Sequence, residues 1–250
     1  MLGDSSIEAV LIRARPCMTQ MLPSEWLTDR EHLEYDHLPV RRQAHWFAGR
    51  LALKQAYRRA GGPREFSEIE VTRDPAGRPK IVGSAVYCSI AHAGGCGVGA
   101  VGPVPLGADL EPAHRWDEAF AHEVACAREL AFVAAAGVAS AQVPTVTWTV
   151  KEAVLKAMGT GLAVHPRRAL IAGLYGDGWL VRVEDRQMGE GSWHVMAESH
   201  GGTWLAIAHP PGAGPVRFTV WPCAQQSAFE VARARRVTAG NGTHAEGEEP

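Results

Sequence analysis

Two acidic residues stand at alternate positions in a short segment whose other side chains are apolar or absent. In residues 106–111 (LGADLE), Leu106, Ala108 and Leu110 alternate with Gly107, Asp109 and Glu111. Because a β-strand points successive side chains to opposite faces, this segment presents both carboxylates on one face when it forms a strand. A pair of acids on a strand is usually a solvated face, and the pair alone is weak evidence for a site.

A third acidic residue and a lysine lie in a helical pattern further along the chain. Between Trp148 and Gly159 the apolar side chains fall at helical spacing, and Glu152 and Lys156, four residues apart, share an adjacent face. Three carboxylates suit Mg²⁺, which takes oxygen ligands and is completed by waters and substrate phosphates. A lysine beside them can meet a phosphate or assist a proton transfer.

Each of these residues also has a purely structural interpretation. Thr149 and Glu152 have the spacing of a capping box at a helix start, and Lys156 could be an ordinary surface partner of Glu152. The joint pattern favours the functional interpretation, since Gly107 precedes the acidic pair and Gly159-Thr160-Gly161 closes the helix.

Four sequence blocks occur in the order Gly77-Arg78-Pro79, Ser89-Ile90-Ala91-His92-Ala93-Gly94, Gly107-Ala108-Asp109-Leu110-Glu111, and Trp148 through Lys156 to Gly159. In these blocks the chain resembles the 4′-phosphopantetheinyl transferases, of the larger single-chain kind that modifies carrier proteins of polyketide, nonribosomal-peptide and fatty-acid synthesis. Together the matches extend from about residue 41 to residue 162. One departure is Ala91, where members of the family more often carry a second serine before the histidine.

The resemblance implies a reaction and a role for each acidic residue. The 4′-phosphopantetheine arm of coenzyme A, the substrate, would pass to a serine of an apo acyl or peptidyl carrier protein, leaving adenosine 3′,5′-bisphosphate. Asp109, Glu111 and Glu152 would hold Mg²⁺, or Mn²⁺ in its place, against the pyrophosphate. Lys156 would contact the transferring or leaving phosphate, and Glu152, or a water that it holds, would be the base for the serine.

The resemblance also implies a set of basic and polar contacts to coenzyme A. Arg78 follows a Pro-Ala-Gly turn and His92 precedes two glycines, and we expect both to bind the 3′-phosphate. The other coenzyme contacts expected from the resemblance are Arg41, Arg42, Arg50, Ser89, Lys151 and Lys156.

The carrier protein is expected to dock beside the acidic motifs, where Arg115, Trp116, Phe120 and Arg128 form a candidate strip. Two other functions fit the same residues. A non-catalytic module that binds coenzyme A or a nucleotide would use Arg78 and His92 without turnover. A metal-dependent phosphohydrolase would use the same carboxylates and release phosphopantetheine to water.

Composition narrows the class of protein. The chain has 250 residues, 46% of them hydrophobic, which is enough for one sizeable domain or two small ones. A net charge of −2 argues against general binding to nucleic acid or to a membrane surface. Five scattered cysteines without paired spacing, and no signal-peptide pattern, lead us to expect a cytoplasmic protein with free thiols. We also expect a monomer.

The remaining patterns predict an α+β fold built from two similar halves. Besides the segments above, apolar periodicity predicts helices at 39–57 and 118–136 and strands at 7–15, 66–73, 85–91, 98–101, 179–184, 194–198, 203–208 and 216–220. A helix followed by three strands occurs twice, and His92-Ala93-Gly94-Gly95 is echoed by His200-Gly201-Gly202. We expect halves at 1–104 and 105–224 and a disordered tail at 225–250. The resemblance implies a pseudo-twofold axis between the halves, with the active site in their cleft.

Overall fold

The computed structural model describes residues 5–13, 26–113, 116, 118–185 and 189–221. The predicted disordered tail at 225–250 and the candidate docking residue Arg115 lie outside this part of the chain.

The described residues form a mixed α+β fold. Its helices are α1 (Asp29–Asp36), α2 (Val40–Arg59), α3 (Glu118–Val124), α4 (Ala127–Ala135) and α5 (Val143–Met158). Its strands are β1 (Ile7–Arg13), β2 (Val71–Arg73), β3 (Pro79–Ile81), β4 (Tyr87–Ala93), β5 (Cys96–Gly102), β6 (Gly107–Pro112), β7 (Ala169–Tyr175), β8 (Gly178–Asp185), β9 (Gly189–Ser199), β10 (Thr203–His209) and β11 (Val216–Trp221).

Two sheets and one separate hairpin hold these strands. The first sheet has the order β11-β1-β5-β4, in which only β11 and β1 run parallel. The second has the order β6-β10-β9-β8-β7 and is antiparallel throughout. Among the described strands, β2 and β3 pair only with each other. The first sheet therefore ends at β4, whereas the second sheet extends beyond β9 to β8 and β7.

The core consists of three apolar clusters that arrange the elements in layers. Helix α2 covers one face of the first sheet, and α5 covers one face of the second. Between the sheets lies a third cluster, to which Leu11 of β1, Ala108 and Leu110 of β6, and Leu205 of β10 contribute. Because β6 turns Ala108 and Leu110 toward this layer, alternation turns Asp109 to the opposite face of the strand, toward α5.

Helix α5 can lie close to β6 because position 107 has no side chain. A Cβ atom on Gly107 would overlap the Ala153 carbonyl oxygen and the Ala157 amide nitrogen of α5. Both neighbours are backbone atoms and cannot rotate away. The glycine before the acidic pair therefore fixes the distance between the two elements that carry the acidic residues.

Within the described residues, a buried lysine–glutamate ion pair occurs in each half of the chain. In the first half, the Nζ of Lys54 contacts the Glu31 carboxylate and the carbonyl oxygens of Trp26 and Phe66. In the second half, the Nζ of Lys151 lies 2.8 Å from Glu129 Oε1 and 2.8 Å from the Val124 carbonyl oxygen.

Each glutamate of these pairs also accepts a hydrogen bond from the backbone amide of the N-cap residue of its own helix and another from the amide of a residue on a distant strand. Glu31 accepts from the amides of Thr28 and Val71, and Glu129 accepts from those of Cys126 and Ile171. The repeated arrangement therefore ties corresponding helices and strands together in both halves.

Two of the predicted elements are divided or shortened in the structure. The predicted helix at 118–136 is two helices, because the chain turns at Cys126 and starts α4 with Glu129 bonded back to the Cys126 amide at 3.0 Å. The predicted strand at 66–73 is a strand only at Val71–Arg73, and its first part is a 3₁₀ turn whose Phe66 carbonyl faces Lys54. Strands β3 and β7 and helix α1 were not predicted. None of the helices in the described part of the chain has the length and apolar character needed to cross a membrane.

Gly107→Ala is expected to destabilise the protein by roughly 1–3 kcal/mol, because the added methyl group forces α5 away from β6. Gly173→Ala is the matched control, since a Cβ atom there meets nothing within 4 Å. Urea denaturation of both variants checks the prediction. Equal stability of the two variants would contradict the close-packing argument.

Candidate functional site

One stripe of helix α5 lies over the acidic face of β6. Trp148, Glu152 and Lys156 are four residues apart, so they project from successive turns roughly 6 Å apart, close to the rise of two strand residues. At one end the Nζ of Lys156 is 2.5 Å from Asp109 Oδ1. At the other end the indole Nε1–H of Trp148 donates to Glu111 Oε1 at 3.0 Å. Glu152 stands between these two contacts on the helix.

The two carboxylates nearest the centre of this site are buried and incompletely satisfied. Asp109 is 4% exposed and Glu152 is 8% exposed. Oδ2 of Asp109 and Oε1 of Glu152 are buried without a hydrogen-bond partner. Burial raises the pKa of Glu152 above its ordinary value; Lys156 opposes that shift, and the charges of Asp109 and Glu111 add to it.

A cavity of about 360 Å³ opens in front of these carboxylates, with Asp109, Glu111, Glu152, Lys156 and His92 among its lining residues. Within the described residues, no three His, Cys, Asp or Glu side chains already form a metal-binding group. The unsatisfied carboxylate oxygens and the purely oxygen donor set nevertheless fit a hard divalent cation better than zinc. In this arrangement the charge of Asp109 is balanced by Lys156.

A second cavity of about 900 Å³ adjoins the first. The two share the lining residues Arg73, Pro79, Ile90 and Lys156. The larger cavity lies where β3 and β4 do not pair, and the C-terminal end of α5 with the following residues through Gly161 forms another part of its wall. Three basic side chains on the β2–β3 hairpin line it, which suits an anionic ligand: Arg73, Arg78 and Lys80.

Arg78 and His92, predicted to bind one phosphate, line different cavities. The Nε–H of Arg78 donates to Asp74 Oδ2 at 2.7 Å, and its guanidinium packs against Gly159 at the end of α5. The ring of His92 lies 6.1 Å from that of His45. Burial, and then the proximity of His45, lowers the pKa of His92 below its ordinary value, which favours the neutral ring.

Arg41 and Arg42 are exposed in the first turn of α2. They precede His45 by four and three residues, so helical geometry places them on the same face as this ring. Ser89 is buried, and its hydroxyl oxygen accepts the Ala108 amide at 2.9 Å, which joins β4 to β6. The serine therefore links the two sheets at the wall of the larger cavity.

Two predicted coenzyme contacts have structural partners instead. Lys151 is fully buried and its Nζ points away from the cleft to Glu129, so the prediction that it reaches the pyrophosphate is corrected. Arg50 lines the smaller cavity but is 3% exposed, and its guanidinium binds the Glu34 carboxylate and the Val71 carbonyl oxygen. Its donors are used in joining α2 to α1 and β2.

The capping-box interpretation of Glu152 is excluded. Helix α5 begins at Val143, so Thr149 lies inside it and its hydroxyl donates to the Thr145 carbonyl oxygen at 2.7 Å. Arg73 lines both cavities but was not among the predicted site residues. Its place as a basic residue at the end of the predicted strand 66–73, just before the turn that carries Arg78, was the signal available in the sequence.

The described part of the candidate docking strip is an aromatic cluster connected to the site. The rings of Trp116 and Phe120 stack with centroids 3.9 Å apart, and Phe120 meets Trp148 edge-on at 5.6 Å. Arg128 is exposed in the first turn of α4.

Comparison with known proteins identifies one matching family model and several relatives. The family model of the 4′-phosphopantetheinyl transferase superfamily matches residues 105–207. A holo-[acyl-carrier-protein] synthase of Geobacillus kaustophilus is 35% identical over 100 residues, which cover 36% of this chain and 78% of that protein.

Two further proteins with the same name match over shorter stretches. That of Anoxybacillus flavithermus is 36% identical over 75 residues, covering 26% of this chain and 62% of its own. That of Lactobacillus delbrueckii subsp. bulgaricus is 33% identical over 75 residues, covering 26% and 55%. The residues that the family model matches include all three carboxylates and Lys156.

Glu152→Gln is expected to leave stability unchanged or to raise it at about pH 8 without metal, and the gain should shrink toward about pH 4. A raised pKa means that the folded chain holds this proton more tightly than the unfolded chain. The ionised carboxylate therefore destabilises the fold as pH rises from the ordinary carboxyl range through the raised pKa.

Chemical denaturation in EDTA at the two pH values measures this effect, with the exposed Glu184→Gln as the control. A clear loss of stability in Glu152→Gln at the higher pH would show that the carboxylate has a structural role.

Proposed function

This chain belongs to the 4′-phosphopantetheinyl transferase superfamily, and from that premise we propose that it loads a carrier protein. It transfers the 4′-phosphopantetheine group of coenzyme A to a serine of an apo acyl or peptidyl carrier protein and releases adenosine 3′,5′-bisphosphate. The observation that carries the proposal is that the buried carboxylates of Asp109 and Glu152 lie with Lys156 and Glu111 at the junction of two cavities.

Asp109, Glu111 and Glu152 are the residues that would hold Mg²⁺, with Mn²⁺ able to replace it. When bound there, the ion supplies positive charge that stabilises the pyrophosphate oxygens as negative charge develops on them. The oxygens of Asp109 and Glu152 that lack hydrogen-bond partners support this assignment. A buried acceptor without a partner costs free energy, and a bound cation would remove that cost.

Glu152 is suited to accept the proton of the carrier serine, directly or through a water molecule. Glu152 lines the smaller cavity and its Oε1 has no hydrogen-bond partner, so this oxygen is able to accept a proton. As the proton leaves, the serine oxygen forms a bond to the phosphorus that carries the pantetheine arm. The bond from that phosphorus to the bridging oxygen breaks, and adenosine 3′,5′-bisphosphate departs with the electron pair. Lys156, on the same helix face, meets the charge on the phosphate oxygens.

The larger cavity is the proposed seat of the rest of coenzyme A. Arg73, Arg78 and Lys80 supply positive charge there, and Arg78 reaches from the β2–β3 hairpin to the end of α5. The absence of a β3–β4 pairing provides the room. His92 stands at the smaller cavity, where a bound phosphate would raise its pKa and add a charge-assisted contact.

The repeated ion pairs of Lys54 with Glu31 and of Lys151 with Glu129 support a further part of the proposal. We propose that the two halves of the chain are related by a pseudo-twofold axis and that the cleft between them is the active site. Polyketide or nonribosomal-peptide carriers as substrates, a monomeric state and a cytoplasmic location stay predictions from the sequence.

Transfer to an apo carrier protein is expected to require Mg²⁺ or Mn²⁺. EDTA should abolish the mass increase on the carrier and added metal should restore it, because the carboxylates alone place like charges against the pyrophosphate. Glu152→Gln should remain folded, bind coenzyme A within a few fold of the native protein and transfer close to background, while Glu184→Gln transfers normally.

Mass spectrometry of the carrier and of free phosphopantetheine separates the three functions. Release of phosphopantetheine to water would favour the phosphohydrolase, and coenzyme A binding with neither product would favour the binding module. Full activity in EDTA, or a Glu152→Gln variant that loads the carrier at the native rate, would refute the assigned site.

The native protein is expected to bind coenzyme A more tightly than dephospho-coenzyme A by roughly 10- to 150-fold, the range for one charge-assisted contact of about 1.5–3 kcal/mol. Arg78→Ala and His92→Ala, measured separately by calorimetry, show which residue reads the 3′-phosphate. Arg64→Ala, an exposed arginine that lines neither cavity, is the control. An undiminished preference in both variants would exclude these residues as readers of that phosphate.

A further inference from the structure

We propose that Trp148 is a positioning residue for metal binding, because its indole N–H fixes the orientation of the Glu111 carboxylate. This inference rests on the proposed function, in which Glu111 is a metal ligand. The indole Nε1 lies 3.0 Å from Glu111 Oε1, a hydrogen bond between a neutral donor and a charged acceptor. Groups bonded to a metal-ligating carboxylate orient it and tune its affinity for the ion.

The position of Trp148 on α5 suits this role. It lies one turn before Glu152, and Lys156 lies one turn after it, so the three residues form one stripe of the helix. Contacts at the two ends of the stripe hold Glu111 and Asp109, and Glu152 is at its centre. A rotation or slide of α5 that displaced Glu152 would break one of these end contacts. Trp148 therefore helps to set the relative position of all three carboxylates.

The indole ring of Trp148 packs against a cluster of other aromatic rings. Phe120 packs edge-on against Trp148 with centroids 5.6 Å apart, and Trp116 stacks on Phe120 at 3.9 Å. Aromatic contacts of these geometries are favourable and directional. These rings therefore restrict the rotation of the Trp148 side chain and help to keep its N–H directed at Glu111.

A neighbouring tryptophan shows that the contact is not a general property of indoles at this strand. Trp204 of β10 pairs directly across from Glu111 in the sheet register. Its Nε1–H donates to Gln142 Oε1 at 3.2 Å and so connects β10 to the start of α5. The two tryptophans near Glu111 thus have different acceptors, and only that of Trp148 is a proposed metal ligand.

Trp148→Phe removes the N–H but keeps an aromatic ring against Phe120. Binding of Mn²⁺, measured by electron paramagnetic resonance on the full chain with coenzyme A present, should weaken about tenfold or more in this variant. Two matched variants should stay within about twofold of the native affinity. Trp204→Phe controls for packing beside Glu111. Trp46→Phe removes an equivalent indole-to-glutamate bond, that of 3.0 Å to Glu34 Oε1 on the other half of the chain.

A double variant separates positioning of Glu111 from a general loosening of the helix. In a Glu111→Gln background, Trp148→Phe should cause little further loss of Mn²⁺ affinity, since the carboxylate that it orients is gone. In transfer assays, Trp148→Phe should raise the Mg²⁺ concentration for half-maximal rate, and saturating Mg²⁺ should restore most of the turnover number.

Each alternative result overturns the inference. A Trp148→Phe affinity within twofold of native, an equal loss in Trp204→Phe, or an undiminished loss in the Glu111→Gln background would do so, as would native protein that binds no Mn²⁺. The carrier assay is independent of these measurements. A native chain that binds Mn²⁺ and loads no carrier would refute the proposed function while the Mn²⁺ series still decides the role of Trp148.

Discussion

The close approach of α5 to β6 at Gly107 is the constraint on which the rest of the site depends. A side chain at this position would overlap the helix backbone, so the helix can lie this close to the strand only if residue 107 is glycine. Once it does, the alternation of β6 turns Asp109 and Glu111 toward the helix, and the helical repeat brings Glu152 between them. The buried, partly unsatisfied carboxylates follow from this packing. The sheet–sheet core beneath β6 opposes any displacement away from α5.

A second feature holds the helix at the correct rotation about its axis. Lys151 and Glu152 are neighbours in sequence, yet the lysine is buried toward Glu129 while the glutamate faces the cleft. Successive residues on a helix point about 100° apart, so an anchored Lys151 sets the direction of Glu152. A buried ion pair is costly to break by removing one partner, and here it is reinforced by a carbonyl oxygen. Lys54 anchors α2 in the same manner.

The two halves use corresponding strand positions differently. In β1 and β6, the last residue of each strand pairs with the first residue after a Gly-Gly turn. Counting back from that pairing, Val10 and Ile12 occupy the positions in β1 that Asp109 and Glu111 occupy in β6. The two apolar residues are fully buried beneath α2 and belong to its core cluster. In β1 this face therefore carries apolar side chains packed beneath α2, whereas in β6 it carries the two carboxylates that face the smaller cavity.

The sequence by itself determined the local features of this protein. Alternation predicted the common face of Asp109 and Glu111, helical spacing predicted the stripe of Glu152 and Lys156, and the family followed from motifs whose order is a property of the chain. Only the tertiary structure decided which basic residues face the cleft, since Lys151 is bound to Glu129. It also decided where α5 begins and where a strand pairing is missing so that a cavity opens. Those outcomes depend on contacts between residues far apart in the chain, which local periodicity does not encode.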